Sequence, residues 1–301
     1  MKFSTHISAY GFIGFHTTIR LCKEGYKVIG IDNLNPSYSV ELKKSRLEMI
    51  SNKYNYSFWE FHKNDLEDKN SLEEIFLKHK PKIVINLAAQ AGVRYSKKNP
   101  VSYVNSNING FLNIISLSNE FNVEKFIYAS SSSVYGSSKK IPFKESEKNL
   151  SPISLYGSTK LSNENIANLF YEKFNLNSIG LRFFTVYGPW GRPDMAPMIF
   201  TDAILSGRPI DIYNFGKMSR DFTFIDDVIE ILIRLINKPA KANNLFNRNI
   251  ISPIIYIFII TRFYFRIINC YSVPTTNLET LLSGHLWYFN SRIFNNYMII
   301  N

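Results

Sequence analysis

Apolar and polar positions along most of the chain switch between the period of strands and the period of helices. Residues 27–31, 82–89 and 126–130 are short, nearly continuous apolar runs, which is typical of strands buried on both faces. Residues 71–80 instead carry apolar side chains at helical spacing. Strands that alternate with helices predict an α/β fold of the Rossmann type, which is a doubly wound parallel sheet.

Three segments fit this scheme less simply. Residues 3–7 are a poor candidate for a buried parallel strand, because polar residues interrupt them. Residues 105–119 predict one long helix, although their asparagines are poor helix formers. Beyond about residue 245 the apolar residues show neither a helical period nor a capping signal. We therefore expect a first domain over residues 1–180 and a small carboxyl-terminal lobe over 181–301 that looks incomplete.

Composition narrows the class of protein. Two cysteines in 301 residues are too few for a disulfide framework, which fits a reducing cytoplasm. The amino terminus does not resemble a signal peptide, and the most apolar window, 254–260, is shorter than the roughly 18 to 20 residues of a membrane span. The net charge of +11 is dispersed rather than gathered into a basic stripe. An anionic small-molecule substrate explains this charge at least as well as nucleic acid does, and we expect neither nucleic acid nor a membrane as a partner.

A glycine-rich turn near the amino terminus predicts a dinucleotide site. Gly11-Phe12-Ile13-Gly14 opens a helix, and Asp32 follows the next strand about 20 residues later, as a Rossmann fingerprint requires. Glycines let the backbone approach a pyrophosphate at the helix terminus, and the carboxylate takes the ribose hydroxyls. An acid at position 32 favours NAD over NADP. Ser8 occupies the first of the three glycine positions, which raises the question of whether the turn still binds.

The carboxyl ends of the next strands carry small and polar residues. Ligands of open α/β sheets bind at these ends, so Ala88, Ala89 and Gln90 are predicted to line the cofactor and Arg94 to reach the active site. The strand at 126–130 delivers a cluster of serines that begins at Ser131.

The segment 154–160 is where we place the chemistry. Tyr156 and Lys160 are four residues apart, so on a helix both side chains lie on one face. A nearby ammonium favours the phenolate and would prepare Tyr156 as a general acid and base. Alone, this spacing is a weak signal and more often belongs to a solvated pair of helix residues.

Taken together, the motifs resemble those of the extended short-chain dehydrogenase/reductases, an NAD-dependent epimerase/dehydratase family. The shared motifs are Gly11-Phe12-Ile13-Gly14, Asp32-Asn33, Asp65-Leu66, Ala88-Ala89, the run from Ser131 to Gly136, and Tyr156-x-x-x-Lys160. The longer strings 182–196 and 213–227 are similar to those of UDP-glucuronate 4-epimerases of bacterial capsule pathways. The resemblance covers about residues 8 to 240.

The resemblance implies a bound NAD, a UDP-sugar substrate and a set of residue roles. Its catalytic trio falls on Ser131, Tyr156 and Lys160. The implied cofactor contacts are Gly11, Phe12, Ile13, Gly14, Asp32, Asn33, Asp65, Leu66, Ala88, Ala89, Gln90, Tyr156 and Lys160. The implied substrate contacts are Arg94, Ser132, Ser133, Thr185, Arg192 and Arg220. No metal site is predicted.

The substrate contacts distinguish the reactions known in this family. Ser132, Ser133 and Thr185 are expected to hold the sugar carboxylate, with Arg94 or Arg192 near it, while Arg220 clamps the diphosphate. Decarboxylases of the family carry an acid where Ser133 stands, and dehydratases an Asp-Glu pair at positions 132 and 133. The expected reaction is therefore epimerisation at C4 of UDP-glucuronate through a 4-keto sugar.

Two alternatives remain open from the sequence. The chain could be a UDP-glucuronate decarboxylase, or a catalytically silent, decayed or frameshifted remnant, because Ser8 and everything past about 245 depart from the family pattern. The family usually pairs through two helices, which here correspond to 105–119 and 160–174, so a homodimer is expected.

Overall fold

The computed structural model describes residues 2–7, 9–93, 95–212, 215 and 221–237, and of residues 2–7 the backbone only. Ser8, Arg94, Arg220 and the irregular region after about 245 lie outside the described residues. The described residues form eight strands: β1 (Lys2–Ile7), β2 (Tyr26–Asp32), β3 (Trp59–Lys63), β4 (Ile83–Asn86), β5 (Lys125–Ser131), β6 (Ser178–Phe183), β7 (Thr185–Tyr187) and β8 (Phe222–Phe224).

Six of these strands form one parallel sheet in the order β3-β2-β1-β4-β5-β6. The order reverses between β1 and β4, which is the switch point where open α/β sheets bind ligands. The predicted doubly wound fold is therefore confirmed.

The prediction that residues 3–7 are a poor candidate for a buried parallel strand was wrong. They lie in β1, which pairs along its whole length with β2 and over its last three residues with β4. Strand preference depends strongly on context, and hydrogen bonding from both neighbouring strands outweighs a polar local sequence.

The described residues also form eight α-helices: α1 (Phe12–Lys23), α2 (Val40–Lys53), α3 (Lys69–His79), α4 (Pro100–Val104), α5 (Gly110–Glu120), α6 (Leu155–Phe174), α7 (Ala196–Leu205) and α8 (Ile225–Asn237). Helices α3, α5 and α6 bury one apolar core against the central strands. Helix α8 lies near α1, since Glu230 pairs with Arg20 at 3.0 Å, and near β5, since the Lys125 ammonium donates to the Leu235 carbonyl at 2.7 Å.

The single helix predicted over 105–119 is interrupted. Helix α4 leads into a π-helical turn, Asn105–Asn109, before α5 begins at Gly110. Such a wide turn is often found at functional sites. Gly110 is required here, because a Cβ on it would lie 2.7 Å from the Cβ of Leu66.

The chain divides into two compact units. Within the described residues, the first contains everything up to Phe184 together with the helix residues from Asp226, and the second contains Thr185 to Ile225. The second unit holds the parallel pair β7-β8 and helix α7. No described helix is both long and apolar enough to cross a membrane.

Candidate active site

The amino terminus of α1 meets the requirements of a phosphate site. Gly11 is the N-cap, in an extended conformation, and no side chain caps the helix. The first turn also contains no acid, so its backbone N–H groups are not satisfied by a side chain of that turn. Backbone N–H groups at a helix amino terminus that no side chain caps suit an anion such as a pyrophosphate. Phe12 and Gly14 are buried and fix this turn against the sheet.

Polar groups at the ends of β2 and β3 are organised around Asp32. Its carboxylate accepts a hydrogen bond from the Leu34 N–H at 2.9 Å. The Asn33 side chain donates to Asp65 at 2.9 Å, and so joins the two strand ends. Leu66, which is buried, follows directly. The structure thus brings these four predicted cofactor residues to one edge of the sheet.

The segment after β4 is held by a buried asparagine that sequence reasoning missed. Asn107 lies in the π-helical turn and is 2% exposed. Its amide accepts from the Gln90 N–H at 2.8 Å and donates to the Gln90 carbonyl at 3.1 Å and to the Thr159 hydroxyl at 3.0 Å. Asn107 therefore ties the predicted cofactor-lining segment to α6. The signal was the run of asparagines in a predicted helix.

A 3₁₀ turn, Ser132–Tyr135, follows β5 and presents the serine cluster. The Ser131 hydroxyl accepts from the Ser133 N–H at 3.1 Å, while Ser132 and Ser133 are half-buried. Helix α6 approaches this turn closely, because a Cβ on Gly157 would lie 2.7 Å from the Ser133 carbonyl oxygen. The absent side chain at position 157 thus places the first turn of α6 against the serines.

Lys160 points into the interior from the first part of α6. Its ammonium donates to the Ala129 carbonyl at 2.7 Å, and its side chain is 3% exposed. Burial lowers the pKa of Lys160 to about 8. Tyr156 lies one turn earlier on the same helix, where the ring of the buried Tyr103 packs edge-on against it, with centroids 6.2 Å apart.

Comparison with known proteins identifies the family. Residues 9–248 match the NAD dependent epimerase/dehydratase family. The chain belongs to this family. It is 52% identical over 233 residues to Protein CapI of Staphylococcus aureus, covering 77% of this chain and 69% of that protein. It is 44% identical to the probable UDP-glucuronate 4-epimerase of Rhizobium meliloti, covering 78% of this chain and 68% of that protein.

Solved structures in the epimerase family have the same fold. The UDP-glucuronic acid 4-epimerase of Bacillus cereus, in complex with UDP-glucuronic acid and NAD, superposes with a TM-score of 0.72 at 33% identity. The match covers 79% of this chain and 74% of that one. The predicted family is confirmed, and the family is NAD-dependent.

A buried ion pair beneath the epimerase motifs was not predicted from the sequence. Glu164 of α6 accepts from both nitrogens of the Arg182 fork, at 2.9 and 2.8 Å, and from the Ser130 hydroxyl at 2.6 Å. Both charged side chains are at most 6% exposed. The pair joins α6, β5 and β6 next to Ser131, because Ser130 is the preceding residue of β5. We therefore assign it the role of positioning α6 against these two strands. Its partners are distant in sequence, which is why no local spacing revealed it.

The second unit holds the remaining described substrate candidates. Thr185 begins β7, and its N–H donates to the Asp221 carbonyl at 3.2 Å. Arg192 forms a two-point ion pair with Asp194, at 3.0 and 2.6 Å. The roles of these residues, like those of the predicted catalytic and cofactor residues, stay predictions.

Proposed function

We propose that this protein is a UDP-glucuronate 4-epimerase that interconverts UDP-glucuronate and UDP-galacturonate through a 4-keto intermediate. One observation carries the proposal: the start of α6, which bears Tyr156 and Lys160, packs through Gly157 against a turn of serines that contains no acid. The relatives named above support the same reaction.

The residues present fit NAD. The helix terminus at Gly11 supplies N–H donors for a pyrophosphate, and Asp32 supplies a carboxylate for ribose hydroxyls at the end of β2. Bound NAD would accept a hydride from C4 of the sugar and return it to the opposite face. Ala88, Ala89 and Gln90 would border it, with Asn107 holding that segment in place.

Tyr156 would take the proton from the 4-hydroxyl and later return it. Ser131 would hydrogen-bond the same oxygen and stabilise negative charge there. Lys160 would favour the phenolate of Tyr156 by its charge and contact the ribose of the cofactor. The bond from its ammonium to the Ala129 carbonyl fixes the position from which it acts.

Retention of the carboxylate distinguishes an epimerase from a decarboxylase. A 4-keto glucuronate is a β-keto acid and loses carbon dioxide readily, so the carboxylate must be held where that loss is slow. In this proposal Ser132, Ser133 and Thr185 would supply hydroxyl donors for this purpose, and Arg192, Arg94 and Arg220 would supply positive charge for the carboxylate and the diphosphate.

The proposal is tested by two assays on one preparation. The purified protein is denatured and the supernatant is assayed for NAD, which is expected at near one per chain. The native protein is then given UDP-glucuronate. Formation of UDP-galacturonate supports the proposal, and UDP-xylose would instead identify a decarboxylase. Bound NAD without either product would contradict both reactions, and absence of NAD would favour a silent remnant.

The expected homodimer is also part of the proposal. Leu112 on α5 and Leu169 on α6 are 43% and 54% exposed, as apolar residues at a subunit contact would be in one isolated chain. Light scattering should give twice the chain mass, and Leu169→Lys should shift the protein to monomer. A monomer in the unaltered protein would remove this part of the proposal without affecting the reaction.

A further inference from the structure

Two histidines and a glutamate converge at the outer edge of the large sheet, on strand β3 and at the last residue of α3. Glu60 and His62 are two residues apart on β3, so both side chains lie on one face of the strand. His79 reaches the same point from α3. One nitrogen of each imidazole and one oxygen of the carboxylate lie within 4.8 Å of one another.

The three ligand atoms form a triangle of the size that a small metal ion requires. His62 Nε2 lies 3.3 Å from His79 Nε2 and 3.0 Å from Glu60 Oε1, and the His79 Nε2 to Glu60 Oε1 distance is 3.5 Å. Ligands that sit about 2.0–2.1 Å from a tetrahedral Zn²⁺ are about 3.3–3.4 Å apart. All three separations lie within about 0.4 Å of that value.

Two neutral imidazoles and a carboxylate can make hydrogen bonds across at most two of these three contacts. Each of the three atoms presents a lone pair to the other two unless a proton lies between them, and one neutral imidazole nitrogen holds at most one proton. Glu60 is buried, and its Oε1 faces both imidazoles.

From this geometry we infer that Glu60, His62 and His79 form a binding site for a divalent transition metal, with Zn²⁺ as the best-matched ion. Two imidazoles and one carboxylate are a ligand set that zinc uses in proteins, with water in the fourth position. The site departs from the sequence expectation of no metal, because its ligands come from two elements and local spacing does not reveal them. An ion here would join α3 to the edge strand.

Lys78 competes with the metal for the carboxylate. Its ammonium lies 2.6 Å from Glu60 Oε1, which is the same oxygen that faces both imidazoles. The Lys78 side chain is 55% exposed, so it can turn into water when a cation binds. Lys27 lies farther away, at 3.9 Å from Glu60 Oε2. Removing Lys78 should therefore strengthen metal binding, which is the opposite of the result expected for removing a structural ion pair.

The experiment is a Zn²⁺ titration of the full chain after treatment with a chelator, in competition with a chromophoric chelator. We expect one site per chain and a rise in Tm of about 5 °C at saturating Zn²⁺. His62→Ala should weaken binding about 100-fold or more, since loss of an outer-shell partner alone costs up to about 100-fold. Lys78→Met should strengthen it. His16→Ala, on α1, is the matched histidine control and should bind as the unaltered protein does.

Co²⁺ provides an independent readout, because tetrahedral coordination gives visible absorption bands that should disappear in His62→Ala. Both His62 and Lys78 are partly exposed, so these variants are expected to fold, and circular dichroism checks that they do. Equal Zn²⁺ binding by the unaltered protein and His62→Ala would overturn the inference, as would weaker binding by Lys78→Met. Neither result bears on the proposed epimerase reaction, which does not use these residues.

Discussion

The two units of the molecule hold their candidate residues in different ways. In the first unit, Lys160, Glu164 and Asn107 are almost completely buried, and each is fixed by hydrogen bonds to distant parts of the chain. In the second, Thr185 lies on a strand of three residues, and Arg192 is paired with a residue two positions away. If the predicted roles hold, the chemistry common to the family is held by a rigid core, and substrate choice by short local segments that can vary.

The largest effect is expected from Tyr156→Phe. Removing the proposed acid and base should lower kcat by about 10²- to 10⁴-fold, while leaving the free energy of unfolding and the NAD content unchanged. Initial rates with UDP-glucuronate measure kcat, and urea denaturation measures the free energy of unfolding. Tyr171→Phe removes a hydroxyl from the same helix and should have full activity. A Tyr156→Phe protein that keeps more than about a tenth of its kcat would show that another group moves the proton.

The buried pair below the serines should control stability in the same unit. Glu164→Leu leaves the Arg182 guanidinium buried without its carboxylate, so the free energy of unfolding should fall by about 3–5 kcal/mol. Glu124→Ala breaks an ion pair with Lys82 in which both side chains are more than 60% exposed, and should cost less than about 1 kcal/mol. Similar losses in the two variants would mean that the buried pair does not position α6. Urea denaturation of both proteins measures the difference.

In protein from which bound nucleotide has been removed, Lys160 should make the free energy of unfolding depend on pH. Its pKa is about 8 in the folded protein and about 10.4 in an unfolded chain, so between these values the unfolded state holds more protons and stability rises with pH. Below pH 8 both states are protonated, and the native state bears the full cost of a buried ammonium. The gain from pH 8 to 10.5, relative to Lys160→Met, should be about 2–3 kcal/mol.

Unfolding curves at pH 8 and pH 10.5 for the unaltered protein, Lys160→Met and Lys173→Met test this. Lys173 is the matched lysine, on the exposed end of the same helix. If the unaltered protein and Lys160→Met changed in parallel over this range, the buried ammonium would not be the source of the pH dependence.

The same contrast explains what could be predicted from the sequence. The sheet and the positions of Gly11, Asp32 and Tyr156 follow local patterns, because strands, turns and helix faces depend on nearby residues. Three features could not be read in this way. The polar strand β1 depends on backbone pairing with two neighbours. The Asn107 and Glu164–Arg182 contacts join residues that are 17 or more positions apart. The ligands of the inferred metal site likewise meet only after folding.

The smallest effect is expected from Thr185→Val, which acts on substrate and not on the fold. If its hydroxyl holds the sugar carboxylate, kcat/KM for UDP-glucuronate should fall about 10- to 100-fold, because hydrogen bonds to charged groups contribute about 1.5–3 kcal/mol. The share of UDP-xylose among the products should also rise, since a carboxylate that is less firmly held is lost more readily. Thr201→Val removes a hydroxyl that donates to the Pro197 carbonyl of the same helix at 2.7 Å, and serves as the matched control.

Unfolding and NAD content should be unchanged in Thr185→Val, which separates this effect from every prediction for the first unit. A lower free energy of unfolding with unaltered kcat/KM would reverse the contrast, because Thr185 would then support the β7-β8 pair and the carboxylate would be held elsewhere. A reduced kcat/KM with an unaltered product ratio would mean that Thr185 contacts the substrate but does not control the loss of carbon dioxide. That control would then lie with Ser132 and Ser133, the hydroxyls of the first unit. Product analysis by anion-exchange chromatography distinguishes these outcomes in a single assay.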